Sequence, residues 1–412
     1  MRLMKKTVSV LLFFLVFLSA CSSKAPDQSG YLREYPQTVL IKEPNAERQK
    51  EYRGIWFSYL DYSKTLSGLS KEQFEKEIIS IFAQIKDFGF NTVIFQVLPH
   101  ADALYESEIY PTSALVSGEI GGEAEYDPLE IACQKAHQLE LNIEAWINPF
   151  RAYAENDADK ISTELPFGQW YQDAEKKGDY IVLVGDRWYY NPCEPEVRKM
   201  IASGVKEIAE NYDVDGIHID DYFYPTTEES FDEKAYLRYG GTADLAAFRR
   251  ECVSEAIREM YSAVKEADSS ISFGISPQGN LENCYNKLYA DVYKWAAEEG
   301  YADYIMPQLY YSFKQSYYSF SFALDKWKSI EWNEKTKLCI GLSAYKLSGL
   351  YTYSTEEEKN DWATSTDMLA RQLKEGREVS NYGGMAVFAY SNLFPKDDTA
   401  IRREKDNLKA MF

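Results

Sequence analysis

The sequence predicts an α/β fold, a (β/α)8 TIM-type barrel in a single domain with long loops at the C-terminal face of its strands. Three observations predict it. Short apolar, β-branched and aromatic runs recur eight times, at residues 54–60, 92–98, 142–147, 216–219, 271–275, 304–309, 338–342 and 385–389. Segments with a helical apolar period separate them, and eight strand-helix repeats are the arithmetic of a closed parallel barrel. A doubly wound open sheet shares that alternation, but the first strand-helix turn, residues 62–69, has no Gly-rich phosphate-binding fingerprint.

At the N-terminus, Arg2, Lys5 and Lys6 precede a short apolar run ending in Leu18-Ser19-Ala20-Cys21. A basic start, a short apolar core and small residues before Cys have the layout of a secretory signal peptide, not of a spanning helix. The ending resembles a bacterial lipobox, which implies cleavage of residues 1–20 and lipidation of Cys21. The chain is therefore expected to be an extracytoplasmic lipoprotein, anchored to a membrane by acyl chains. Residues 21–50 carry Pro, Ser, Lys, Asp and Glu without an apolar period and read as a flexible tether. Residues 51–412 are left for the barrel.

Helix ends are legible along that barrel. Ser70-Lys71-Glu72-Gln73 is a capping box, Phe74, Ile78, Ile81 and Ile85 share one face, and Gly89 supplies the stop. Asp127-Pro128-Leu129-Glu130 is a second start, with Pro at the first helical position. A third helix follows Pro195, with Val197, Ile201, Val205 and Ile208 on its apolar face. Further helices are expected over residues 245–265, 286–299, 322–329, 354–375 and 399–410. The fourth strand is unlike the others. In Gly216-Ile217-His218-Ile219-Asp220-Asp221 a period of two puts His218 and Asp220 on one face, and Asp221 opens the following loop.

Composition narrows the partners. The net charge is −20 and Lys and Arg form no dense block, which argues against nucleic acid and other polyanions. Besides Cys21 there are Cys133, Cys193, Cys252, Cys284 and Cys339, widely spaced and odd in number, read as small core residues with room for a single bridge. None of the three histidines has metal-ligand spacing, so neither a metal nor a cofactor is expected.

In such a barrel function resides at the C-terminal strand ends. Those ends offer Asp61; Gln96, His100 and Asp102; Trp146, Asn148 and Arg151; His218, Asp220 and Asp221; Gln278; Gln308 and Tyr310; and Tyr345. Aromatic rings, amides and carboxylates together suit a sugar: rings stack on its faces, amides bond its hydroxyls, and two carboxyl groups can cleave the glycosidic bond. Gln96, Trp146, Asn148, Arg151, His218, Tyr222, Tyr224, Gln278, Gln308 and Tyr310 are the expected substrate contacts. The long loops at residues 152–187 and 222–244, with Trp170, Trp188, Tyr189 and Tyr190 along them, are expected to build a groove for a polymer.

Arg53-Gly54-Ile55-Trp56, Asn91 to Val97 with Ala101-Asp102-Ala103-Leu104-Tyr105, Trp146-Ile147-Asn148-Pro149-Phe150-Arg151, Asp215 to Pro225, Phe273-Gly274-Ile275-Ser276-Pro277 and Asp303 to Tyr310 together resemble the glycosyl-hydrolase-like 10 family. The resemblance spans nearly all of residues 52–393. It implies a bacterial envelope lipoprotein with a (β/α)8 barrel, and for some members cleavage of peptidoglycan glycan strands stripped of their stem peptides. Two positions depart from the family's pattern: Leu98, where a basic residue is common, and Gln278-Gly279-Asn280, where a Gly-aromatic-Trp run is common.

Asp220 is the leading catalytic carboxylate. Asp221 is its nearest partner, but adjacent residues on an extended strand point to opposite faces, which makes a proton donor from another strand, Asp61 or Asp102, the stronger expectation. His218 either orients the Asp220 carboxylate or is a buried neutral imidazole held by a core partner. Asp215 to Tyr222 also resembles the catalytic strand of family 18 chitinases, with Asp220 at the acetamide-steering Asp and Tyr222 where the acid Glu would stand. The reading is a lipid-anchored glycoside hydrolase acting on an N-acetylated polysaccharide, peptidoglycan glycan above all. A non-catalytic glycan-binding or scaffolding lipoprotein is one rival, and a transporter solute-binding lipoprotein, built of two open-sheet lobes, is the other.

Overall fold

The computed structural model describes residues 51–412 apart from 352–353, 396, 398 and 400; the leader, Cys21 and the tether lie outside them. The first barrel strands are β1 (Tyr52–Phe57), β2 (Thr92–Leu98) and β3 (Asn142–Ile147). After them β4 (Arg151–Ala154), β5 (Ile181–Val184) and β6 (Arg187–Tyr190) form a separate antiparallel sheet. The barrel resumes with β7 (Gly216–Ile219), β8 (Ser272–Ile275), β9 (Tyr304–Ile305), β10 (Lys337–Ser343) and β11 (Tyr382–Phe388). The ring closes in the order β1-β11-β10-β9-β8-β7-β3-β2, every pair parallel, with β1 joined to β11 at Gly54↔Ala386. A closed ring leaves no hinge between open-sheet lobes, which disposes of the solute-binding reading.

The first strand is shorter than its apolar run. Ser58 caps a helix at Tyr59–Thr65, with Asp61 returning the bond to the cap backbone, so residues 58–60 turn out of the sheet. Two helices expected to be continuous are broken. Residues 286–299 contain the end of Leu281–Lys287 and a new helix, Val292–Ala297, capped by Asp291. Residues 354–375 divide into Glu356–Thr364 and Met368–Gly376. The helix at Lys71–Phe88 has the expected Ser70–Gln73 box and ends at Gly89, whose φ of 119° favours glycine.

The segment at 152–187 is a small folded layer over the barrel mouth, not an open loop. Trp170, Trp188 and Tyr190 are buried inside it, so they support the mouth and do not line it; Tyr189 is half-buried. The five cysteines of the described residues are buried and free, and the bridge left open by the sequence is not formed.

The lumen is polar below the mouth. Glu144 and Trp146 of β3 and His218 of β7 face inward, with Trp146 in register with His218. Tyr52 and Tyr304 both donate to Glu144 Oε2, and Ser272 donates to Oε1. Gly274 makes room for this, because a Cβ there would lie 1.9 Å from the Tyr304 ring.

Candidate active site

His218 belongs to the lumen network and not to the substrate surface. The Trp56 indole donates to its Nε2 at 3.1 Å, and its Nδ1 meets the Tyr304 hydroxyl at 2.8 Å. An indole N–H can only donate, so the proton of the neutral ring sits on Nδ1. Burial lowers the imidazole to about 3, which keeps it neutral. Its expected contact with a sugar, and its orienting of Asp220, are both replaced by these core partners. Burial also raises Glu144 to about 7, against the donors that surround it.

Above this layer the chain leaves β7 and bends at Asp221. The bend changes what adjacent residues can do. Asp220 faces the β3 side, where Asn148 Nδ2 donates to Oδ1 at 2.6 Å and Trp146 Nε1 to Oδ2 at 3.2 Å. Asp221 faces the β8 and β9 side, where Gln278 Nε2 donates to Oδ2 at 3.1 Å and Gln308 Nε2 to Oδ1 at 3.2 Å. Both carboxyls thus reach the mouth, against the expectation for an unbroken strand. Burial disfavours the charged form of both carboxyls and raises their pKa values; the charge of Asp221 adds to the effect on Asp220, and Arg151 opposes it at both. Such a pair shares a proton near neutrality.

The donors around Asp220 have a fixed direction. The Tyr59 backbone N–H donates to Gln96 Oε1 at 2.8 Å, and Gln96 Nε2 then donates to Asn148 Oδ1 at 2.6 Å. A backbone amide cannot accept, so Gln96 is locked, Asn148 is locked in turn, and its amino group must face Asp220. Asp220 is therefore held as an acceptor, the anion of the pair. Gln308 is locked as well, its Nε2 donating to the Ser276 carbonyl at 3.2 Å and so facing Asp221 Oδ1 as a donor, but no backbone group fixes the Gln278 amide, which can turn to serve Asp221 Oδ2 in either protonation state.

Aromatic rings surround the pair. Tyr310 lies 6.0 Å from Phe388, with Trp56, Trp146 and Tyr345 at 6.0, 6.4 and 6.2 Å from the same ring. Phe388 was missed because it ends an apolar run, although strand parity places it inward with Ala386. Arg151 stacks over Tyr222 at 4.2 Å and donates to His100 Nε2 at 3.0 Å.

The remaining expected residues lie elsewhere. Asp61 Oδ2 accepts from Ser58 N and Oγ at 2.8 and 2.7 Å, and Oδ1 from Ser391 N at 3.0 Å, so its oxygens tie the first and last strand ends together. Asp102 lies in a side pocket with its Oδ2 bonded by Ser113. Tyr224 is buried under the loop, its hydroxyl on Asp232 at 2.5 Å; Arg249 grips that same carboxylate and the carbonyls of Thr227 and Glu228. The expected sugar contact of Tyr224 is therefore corrected to a loop anchor. Among the described residues, no group of His, Cys, Asp and Glu is arranged to hold a metal ion.

The model of the family described as Glycosyl hydrolase-like 10 matches residues 51–362. Glycosyl hydrolase YngK of Bacillus subtilis (strain 168) is 32% identical over 385 residues, 86% of this chain and 72% of that protein. Glycosyl hydrolase DigH of Escherichia coli (strain K12) is 29% identical over 411 residues, 92% of this chain and 91% of that protein. Among solved structures, the glycoside hydrolase domain of PgaB (BpsB) from Bordetella bronchiseptica superposes with a TM-score of 0.53 at 12% identity, covering 86% of this chain and 98% of that one. The α-L-fucosidase isoenzyme 2 of Paenibacillus thiaminolyticus gives the same score and identity over 88% of this chain, which spans about half (49%) of that protein. At this identity the structural likeness speaks to the barrel alone.

Proposed function

The chain belongs to the glycosyl hydrolase-like 10 family, and from that premise we propose that it is a lipid-anchored glycoside hydrolase cleaving an N-acetylated glycan, namely peptidoglycan glycan strands. The observation that carries the reading is the Asp220–Asp221 pair: two raised carboxyls in an aromatic mouth, one locked as an acceptor and the other free to carry a proton. Hydrolysis of a glycosidic bond needs that division of labour. Asp221 protonates the departing oxygen as the glycosidic bond breaks, and a water then adds its oxygen to the anomeric carbon and returns a proton to Asp221. Asp220, ionised, stabilises the positive charge that develops at the anomeric carbon. Gln96 and Asn148 are positioning residues, and Tyr310 and Phe388 supply faces for sugar rings. Asp61 has its oxygens committed to the barrel seam, which argues against it as the acid. Membrane attachment rests on the lipobox ending at Cys21.

Purified protein incubated with denuded and with peptide-bearing peptidoglycan is expected to generate new reducing ends, faster on the denuded strands, and Asp220→Asn to reduce the rate by about a thousandfold or more. If the wild type binds glycan yet releases no more ends than the variant, the chain is a glycan-binding scaffold and the hydrolase reading fails. Cys21→Ser is expected to release the protein from membranes; unchanged attachment refutes the anchor.

A further inference from the structure

Next to the Arg151–His100 hydrogen bond lies a cavity of about 120 Å³, lined by His100, Asp102, Ile120, Tyr153, Ala154, Asp157 and Arg187. It joins the site through His100, which accepts from Arg151, the residue stacked on Tyr222. Its volume is well below the ~300–1,000 Å³ that holds a whole ligand, so it suits a substituent and not a sugar ring.

The polar groups around it are incompletely paired. Arg187 donates to the Ala152 carbonyl at 2.8 Å, and among the described residues neither Arg187 nor Arg151 has a carboxylate within ion-pair distance. The two guanidiniums repel each other: burial, then the charge of Arg151, lowers the ionisation of Arg187. Arg151 Nε and Asp102 Oδ1 are buried without a hydrogen-bond partner. Asp186 acts on Arg187, and Asp220 and Asp221 on Arg151, from outside the cavity; the carboxyls of its own lining hold neither guanidinium. Asp157 is paired with Lys160 at 2.6 Å, and burial pushes the Asp102 carboxyl up, toward its neutral form. Arg187 and Arg151 thus give one side of the cavity a positive charge that an anion entering it would offset.

We propose that this cavity is a subsite for a carboxylate-bearing substituent of the glycan, gripped by Arg187 with Arg151 and His100 behind it, while Asp102 Oδ1 pairs with an adjoining hydroxyl or amide hydrogen. The inference rests on the glycan-hydrolase reading and narrows it to an acidic sugar. The carboxylate can come from an ether-linked lactyl arm or from C6 of a uronate ring.

The test is binding, measured by calorimetry with the full-length protein in detergent, in an Asp220→Asn background that prevents turnover. Four tetrasaccharides are compared: alternating N-acetylglucosamine and N-acetylmuramic acid, the same with its carboxyls reduced to alcohols, hyaluronan, and chitotetraose. An acidic sugar is expected to bind about tenfold or more tighter than its neutral counterpart, the size of one charge-assisted hydrogen bond. Arg187→Gln is expected to erase that ratio and Arg187→Lys to keep part of it. A gain confined to the muramic or to the hyaluronan sugar identifies the source. Equal binding of acidic and neutral sugars by the unsubstituted subsite overturns the proposal without needing a variant, as does a ratio that survives Arg187→Gln at unchanged melting temperature. Binding that persists where wild type releases no reducing ends sinks the hydrolase reading alone and leaves the subsite standing.

Discussion

Removing the Asn148 amide tests the directional relay, because it changes the charge state of Asp220 without touching the carboxylate. In wild type, Tyr59 N–H, Gln96 and Asn148 pass hydrogen bonds one way and end on Asp220 Oδ1 at 2.6 Å. A hydrogen bond to a charged group contributes about 1.5–3 kcal/mol. Asn148→Ala removes one that favours the anion, so Asp220 becomes easier to protonate. At 1.36 kcal/mol per pH unit, the acid limb of the rate profile should move up by about one to two units. Activity is then lost first at low pH: the variant should fall about tenfold further behind wild type at pH 6 than at pH 8. The assay is reducing-end release under kcat/KM conditions from pH 5 to 9. Gln96→Ala should give a smaller shift in the same direction, since Asn148 keeps its amide but loses its lock. The double variant should match Asn148→Ala, because the two act through one bond. A uniform loss at every pH, or additive effects of the two substitutions, would refute the relay.

Glu144 makes a different pH statement. Its carboxyl is raised from 4.5 to about 7, so the folded chain binds this proton more tightly than the unfolded one, and the associated stability is full below pH 4.5 and lost as pH rises to 7. The buried shift corresponds to about 3 kcal/mol; denaturant titrations should show that slope in wild type and a flatter one in Glu144→Gln, and equal slopes would contradict it. Tyr224→Phe should cost about 1–3 kcal/mol of stability through its lost bond to Asp232, with KM unaltered; a raised KM at wild-type stability would return Tyr224 to the substrate surface. Phe388→Ala should raise KM about tenfold by removing a face for sugar stacking, and an unchanged KM in a folded variant would exclude the ring from the groove.

Sequence reasoning read the barrel well because its strands are marked by runs of apolar residues and its helices by side chains that cap them. It read the mouth less well where tertiary contacts decide. Ser58 and Asp61 form a cap that ends β1 early, yet Tyr59 and Leu60 between them continue the apolar run of the strand. Residues 152–187 read as loop in sequence because their strands are only four residues each, and the burial of Trp170 and Trp188 depends on their folding together. Tyr224 sits two residues beyond Tyr222 and looks equivalent, but it faces Asp232 and Arg249, eight and 25 positions further along the chain. Glu144 was invisible for the opposite reason: a single acidic residue inside an apolar strand has a partner set, Tyr52, Ser272 and Tyr304, that only closure of the ring assembles.

The same closure explains how neighbouring carboxyls acquire different characters. On a continuing strand Asp221 would point away from Asp220; the bend after β7 turns it back over the mouth, onto Gln278 and Gln308 from strand ends beyond the opposite neighbour. Each residue then inherits its donors from a different side of the ring. Asp220 receives a chain of amides that begins on a backbone N–H and so can run only one way. Asp221 receives one amide held by the Ser276 carbonyl, that of Gln308, and one, that of Gln278, whose orientation is free to follow a proton on Oδ2. Equal burial would leave the pair to share that proton indifferently, and it is the unequal freedom of the donors that assigns it. The distinction between the stabilising anion and the acid is therefore written in residues 59, 96 and 148, none of which belongs to the Asp-Asp motif that first drew attention.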